Sequence, residues 1–145
     1  DAIYVKVLYG FLLLLLETDF PYFCHRVSTS LNLVHLHGEL VLELAASFEE
    51  SAIAMAKRFD VRVVGIEKNP ESVAIATENI RAAGLEGQVK IVEGDIFRFD
   101  AISEQFDYVL AEAILTMQSQ EAKIKILQGV RDRLKPEGKF LFFGS

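Results

Sequence analysis

Residues 61–71 read VRVVGIEKNPE, and these eleven positions contain a strand, a turn and the start of a helix. The β-branched run Val61–Ile66 is typical of a buried strand. Asn69 is a favourable N-cap residue, and Pro70 suits the first position of a helix. The segment therefore predicts one strand-to-helix unit, with Glu67 at the tip of its strand.

The same alternation of apolar runs and helical patterns continues along the chain after residue 38. Runs typical of strands occupy five places: 40–44, 61–67, 89–93, 106–111 and 139–143. Helical patterns separate most of them, at 51–59, 70–83 and 121–134. Strands joined by helical crossovers pair in parallel with right-handed connections. The pattern therefore predicts an α/β fold with a doubly wound, mainly parallel sheet of about five strands.

Two of the predicted helices carry apolar residues at helical spacing. The helix that starts at Pro70 is followed by Gly84, which favours the left-handed conformation common after a helix end. The last helix has one predicted apolar stripe, made of Ile124, Leu127, Val130 and Leu134. A turn over 135–138 is predicted to lead into the fifth strand.

Composition narrows the class of protein. The chain has 145 residues, a formal net charge of −6 and one cysteine, Cys24. That length fits one domain, and a single thiol excludes an internal disulfide. The acidic balance argues against nucleic-acid binding, which depends on clustered Lys and Arg. We expect a soluble, cytoplasmic domain.

The N-terminal segment has the most unusual composition, because Val7–Leu16 includes five consecutive leucines. A membrane-spanning helix needs about 20 apolar residues, and Lys6 and Glu17 bound this shorter run. We therefore predict a buried apolar helix and no membrane partner. Residues 1–38 form an N-terminal helical segment and connection in this interpretation, and residues 39–145 form the core of the same domain.

Acidic residues follow two consecutive predicted strands. Glu67 ends the second strand, where a carboxylate can accept hydrogen bonds from both hydroxyls of a ribose. Asp95 follows the third strand and can accept a proton from an exocyclic amine, while Ile96 offers an apolar face to a ring. Acids at corresponding positions of consecutive units favour an adenosine site over two unrelated loop residues.

The first strand-to-helix turn selects among adenosine ligands. It reads AASFEE over 45–50 and contains no glycine, whereas a pyrophosphate needs a glycine-rich turn at a helix N-terminus. Glu49 and Glu50 would repel phosphates and would favour a cationic group. The turn disfavours NAD and ATP and is compatible with S-adenosylmethionine, which has an ammonium, a sulfonium and no phosphate.

From about Glu39 onward the sequence resembles the class I S-adenosylmethionine-dependent methyltransferases. The matching segments, in order, are LVLELAAS, VVGIEKNPESVAIATENIRAAGL, VKIVEGDIF, FDYVLAEAILTM and LKPEGKFLFF. The resemblance implies a Rossmann-like core with strand order 3-2-1-4-5. It also implies that Glu67 binds the ribose, that Asp95 and Ile96 bind the adenine, and that the loop from Glu43 to Phe48 holds the methionine portion.

The resemblance gives a full set of candidate site residues. The cofactor residues are Glu43, Ala45, Ala46, Ser47, Glu67, Lys68, Asp95, Ile96 and Ala111. Glu112 would face the substrate and is the candidate catalytic residue. Apart from the resemblance, His25, His35 and His37 precede the first strand and are either alternative general bases or surface or packed imidazoles without a catalytic role. No metal site is expected. The predicted function is methyl transfer to a small-molecule acceptor whose identity stays open.

Two departures from the family keep a second function open. The family's first motif usually has glycines at the positions of Ala45, Ser47 and Glu49, and its fold normally continues with two more strands. We therefore predict a core truncated after the fifth strand, in a chain that forms homo-oligomers. The alternative to an active methyltransferase is a catalytically inactive, methyltransferase-like binding or assembly module.

Overall fold

The computed structural model describes residues 37–44, 50–99, 101–112, 114–115 and 118–143. Its strands are β1 (His37–Leu44), β2 (Asp60–Glu67), β3 (Val89–Glu93), β4 (Phe106–Glu112) and β5 (Leu134–Phe143). Its helices are α1 (Glu50–Arg58), α2 (Pro70–Ala82) and α3 (Gln120–Arg133). The predicted N-terminal apolar helix lies outside the described residues. No helix in the described part of the chain is both long enough and apolar enough to cross a membrane.

The strands form one sheet in the order β3-β2-β1-β4-β5, and every neighbouring pair is parallel. This confirms the predicted strand order and the parallel pairing. β1 lies at the centre, with Glu43 opposite Gly65 of β2 on one side and Leu110 of β4 on the other. The carboxyl ends of β1 to β4 therefore meet at one edge.

The core divides into two layers, one on each face of the sheet. Side chains alternate between the faces along a strand, so Val41 belongs to one layer and Leu42 to the other. Helices α1 and α2 cover the Val41 face, whereas α3 covers the Leu42 face. This is the doubly wound arrangement that the sequence predicts.

The local signals around α2 are confirmed. The Asn69 side chain accepts a hydrogen bond from the Glu71 N–H at 2.9 Å and so caps the helix. Ala76 and Ile80 are its buried residues. Past the helix end, Gly84 adopts a φ of +69°, the left-handed conformation that glycine takes without steric cost.

Two predictions for the C-terminal part were wrong. Helix α3 buries Ile126 and Val130, whereas Ile124 and Leu127 are 54% and 44% exposed. The buried stripe is therefore rotated around the helix axis from the predicted one. The predicted turn over 135–138 is instead part of β5, at a register shift in the pairing of β4 with β5.

A tight contact joins α3 to the segment that follows β3. The ring of Phe99 is buried and packs directly on Gly129 of α3. A Cβ atom at position 129 would lie 2.3 Å from Cε2 and 2.5 Å from Cδ2 of that ring. Phe99 also has a φ of +56°, which costs a non-glycine residue roughly 1–2 kcal/mol. Only glycine fits at position 129 while Phe99 keeps this place.

We expect Gly129→Ala to lower the free energy of unfolding, measured by urea denaturation, by about 1–2 kcal/mol net. The overlap with the Phe99 ring is severe, so overpacking costs about 2–3 kcal/mol, and the helix preference of alanine offsets roughly 1 kcal/mol of that cost. Gly87→Ala is the matched control, because no atom lies within 4 Å of a Cβ built there. A Gly129→Ala protein as stable as the control would contradict this packing.

Candidate functional site

The candidate site lies along the edge where the parallel strands end. Glu67 closes β2 and pairs in register with Glu93, the last residue of β3. Glu43, on the central strand β1, pairs with Gly65, which lies two residues before Glu67 on β2. Strand spacing and rise then put the Cα atoms of Glu43 and Glu67 about 8 Å apart. On the other side of β1, Glu112 closes β4.

The turn after β2 is built around the Glu67 carboxylate. Its Oε1 atom accepts hydrogen bonds from the N–H groups of Lys68 and Asn69, both at 3.1 Å. Helix α2 begins directly afterwards at Pro70, so the carboxylate lies beside the positive end of the helix dipole. Local backbone bonds thus orient this carboxylate.

The turn after β3 is built around Asp95 in a similar way. Its Oδ1 atom accepts the N–H of Phe97 at 2.8 Å, and its carbonyl accepts the N–H groups of Arg98 at 3.1 Å and Phe99 at 3.0 Å. The neighbouring Gly94 donates to the carbonyl of Glu67 at 3.0 Å. That bond ties the two carboxylate-bearing turns to each other.

Glu43 differs from these two because its side chain is only 6% exposed. It is the one charged residue among the buried side chains of the described chain. A carboxylate held in the interior costs free energy unless charges or donors compensate for it. Glu43 therefore places a buried carboxylate at the centre of the edge where the strands end.

The remaining predicted site residues have different surroundings. Lys68 is exposed, Ile96 is half-buried against the core layer of α3, and Ala111 is fully buried in that layer. Glu112 is described by its backbone position alone. Ala45, Ala46 and Ser47 lie outside the described residues.

Chemically, this edge presents hydrogen-bond acceptors and negative charge. In open α/β sheets, ligands bind beyond the carboxyl ends of the strands, where the strand order reverses. Here β1 has β2 on one side and β4 on the other, so the reversal lies at β1. The carboxylates there suit a ligand with hydroxyl and amine donors or a positive charge, and they oppose a phosphate.

Residues 41–138 match the protein family described as methyltransferase domain. The chain belongs to this family. The match covers the second half of β1, all of β2 to β4, all three helices and the first part of β5. It confirms the family resemblance of the sequence.

Relatives of this methyltransferase domain are found among proteins and solved structures. An uncharacterized protein of Haemophilus influenzae is 35% identical over 101 residues, which are 70% of this chain and 40% of that protein. A ribosomal protein L11 methyltransferase of Alkaliphilus oremlandii is 30% identical over 93 residues, 64% of this chain and 28% of that protein. The chain thus spans less than half the length of these curated relatives.

The fold also matches solved methyltransferases. The apo crystal structure of the S-adenosylmethionine-dependent methyltransferase SibL superimposes with a TM-score of 0.71 and 26% sequence identity. The match covers 80% of this chain and 33% of SibL. The sheet and its helices are therefore those of a methyltransferase core.

Of the three histidine alternatives, His37 is the one within the described residues, and its backbone lies far from this edge. His37 opens β1 and pairs with Asp60, the first residue of β2. Seven residues of extended chain separate it from Leu44, a distance of about 23 Å. His37 is therefore excluded as a general base here, and His25 and His35 lie outside the described residues. The described residues contain no group of three or more His, Cys, Asp or Glu side chains that could hold a metal ion.

Three residues around the site were missed by the sequence analysis: Phe99, Gly129 and Arg133. Arg133, at the end of α3, donates from Nη2 to the carbonyl of Phe99 at 3.2 Å. A glycine inside a helical pattern indicates close packing, so Gly129 was a usable signal. Its partner across the fold was not, since that contact depends on the tertiary structure.

Proposed function

We propose that this methyltransferase domain binds S-adenosylmethionine and transfers its methyl group to a small-molecule acceptor. The observation that carries the proposal is the pair of oriented carboxylates, Glu67 and Asp95, at the ends of adjacent parallel strands. Adjacent strand ends can hold the ribose and the base of one nucleoside. SibL, which shares this fold, is S-adenosylmethionine-dependent.

In this proposal different residues bind the ribose and the adenine of the cofactor. Glu67 accepts hydrogen bonds from the ribose hydroxyls, and Lys68 lies beside it. Asp95 accepts a hydrogen bond from the exocyclic amine of adenine, and Ile96 contacts the ring. These roles fit the acceptor character of both carboxylates and the half-buried, apolar setting of Ile96.

The methionine portion lies toward β1. Glu43 supplies negative charge toward the ammonium group, and the loop residues Ala45, Ala46 and Ser47 complete this part of the site. Ala111 contributes through its backbone, because its side chain is fully buried in the core. The negative charge at this edge supports a cofactor that carries an ammonium and a sulfonium.

The cofactor supplies an activated methyl group, and the chain supplies positioning. Holding an acceptor about 3–3.5 Å from the methyl carbon is the main contribution a protein makes to such a displacement. Glu112 ends β4 on the opposite side of β1 from Glu67, about 10 Å away between Cα atoms. From there it serves as the general base where the acceptor must lose a proton.

The second candidate is a binding or assembly module that holds the cofactor without transferring its methyl group. The glycine-free sequence of residues 45–50 favours this module, because glycine allows the backbone to approach a ligand closely and the side chains present here would hinder that approach. Release of S-adenosylhomocysteine on addition of small-molecule acceptors distinguishes the transferase from the module.

The proposal also includes the setting of the protein. We place it in the cytoplasm, as a homo-oligomer that acts without nucleic acid or membrane partners. The net charge of −6 opposes binding to a polyanion. The exposed Ile124 and Leu127 on α3 support self-association, because they form an apolar pair one helical turn apart.

Calorimetric titration with S-adenosylhomocysteine tests the function. We expect saturable binding, weakened by roughly 1–3 kcal/mol in Glu67→Gln, because the ribose loses charged acceptors. Glutamine keeps an oxygen that can accept the N–H groups of Lys68 and Asn69, so the turn itself is preserved. Glu86→Gln is the control, since Glu86 is exposed and lies far along the chain from this turn. No binding by the unmodified chain contradicts the function, and an unchanged Glu67→Gln affinity contradicts the ribose role.

The adenine role of Asp95 is tested by comparing S-adenosylhomocysteine with S-inosylhomocysteine, which carries an oxygen in place of the exocyclic amine. We expect the unmodified chain to prefer the adenine ligand at least tenfold. Asp95→Asn should reduce that preference, because its amide N–H₂ can donate to the inosine oxygen. Asp132→Asn, at an exposed position on α3, should leave it unchanged. Equal preference in Asp95→Asn and the unmodified chain would contradict the assignment.

Self-association is tested by light scattering at micromolar concentration. We expect at least twice the chain mass of 16.3 kDa, and a shift toward the single-chain mass in Ile124→Lys because the substitution puts charge in the apolar contact. Gln128→Lys, which adds the same charge at an exposed position of α3, is the control. A single-chain mass for the unmodified protein would contradict the proposal.

A further inference from the structure

Three backbone hydrogen bonds to Asp95 hold the start of the turn from Asp95 to Phe99. The Asp95 side chain accepts the Phe97 N–H, and the Asp95 carbonyl accepts the N–H groups of Arg98 and Phe99. The orientation of the Asp95 carboxylate therefore depends on where the backbone of the turn lies. Any shift of Phe99 is transmitted to Asp95 through the bond between them.

The last residue of the turn is fixed by α3. The Phe99 ring is buried against Gly129, with no room for a Cβ atom there. The Phe99 carbonyl accepts hydrogen bonds from Nη2 of Arg133 at 3.2 Å and from the N–H of Ile102 at 3.1 Å. Phe99 holds a φ of +56°, a conformation that persists where surrounding contacts enforce it.

We infer that Arg133 is a positioning residue for adenine recognition, which it serves by holding Phe99 and, through Phe99, the turn that orients Asp95. This inference rests on the proposed function. Two hydrogen bonds connect Arg133 to Asp95 through Phe99. Arg133 donates to the Phe99 carbonyl, and the Phe99 N–H donates to the Asp95 carbonyl. Without Arg133, Phe99 loses one of the contacts that keep it in the left-handed conformation.

The chain offers a matched control on the same helix. Arg131 and Arg133 both lie in the last turn of α3, where positive charge complements the helix dipole equally. The Arg131 side chain is 78% exposed and pairs with Asp132 at 3.7 Å. Substituting Arg131 therefore removes the same charge and leaves the Phe99 carbonyl bonded.

The first measurement is amide hydrogen exchange on the full chain without ligand. We expect Arg133→Ala to speed exchange of the Phe97 and Phe99 amides at least fivefold relative to the β1 amides, which report global unfolding. Arg131→Ala should leave the ratio unchanged. Arg133→Lys should restore slow exchange in large part, because an ammonium can donate to the same carbonyl. Equal protection in the Ala and unmodified chains would overturn the inference.

The second measurement is the preference for S-adenosylhomocysteine over S-inosylhomocysteine. We expect Arg133→Ala to lower this preference at least fivefold, and to add nothing further in an Asp95→Asn background, because both changes act on one contact. A merely structural role would change stability and leave the preference intact, and that result would overturn the inference. If the unmodified chain binds neither ligand, the proposed function fails together with the inference. If the inference about Arg133 is wrong and the proposed function is right, the unmodified chain binds S-adenosylhomocysteine, and Arg133→Ala keeps the same preference for it over S-inosylhomocysteine.

Discussion

The parallel pairing of β1 with both β2 and β4 is the constraint on which the rest of this molecule depends. It buries the central apolar side chains of β1, since Val41 and Leu42 have no exposed surface. It also brings the carboxyl ends of these three parallel strands to one edge, with Glu43 buried at the centre of that edge. The pairing of β1 thus determines both the centre of the core and the position of the candidate site.

The three carboxylates at that edge differ in how they are held. Glu43 is the buried one, and a charge in the interior costs several kcal/mol unless other groups compensate for it. Glu67 and Asp95 are half-buried, and each accepts hydrogen bonds from the backbone of its own turn. In both turns these bonds fix the orientation of the acid that the proposed function places against the cofactor.

The sequence predicted the features that depend on neighbouring residues. The carboxyl ends of β1, β2 and β3, the Asn69 cap and the Gly84 conformation follow from local propensity and were confirmed. The stripe of α3 was wrong because its apolar residues cover more than one face, and only the packed sheet decides which face is buried. The register shift in β5 and the contact of Phe99 with Arg133 join segments far apart in the chain, so no local pattern encodes them.

Helix α3 therefore has two roles that cannot be varied independently. Its buried residues Ile126 and Val130 close one core layer, and its Gly129 and Arg133 hold Phe99. Rotating or shifting the helix to improve packing would move Phe99, and with it the Asp95 turn. A glycine in the middle of a helix costs roughly 1 kcal/mol relative to alanine. Gly129 gives up that helix stability, and in return its missing Cβ leaves room for the Phe99 ring, which keeps the turn from Asp95 to Phe99 in place.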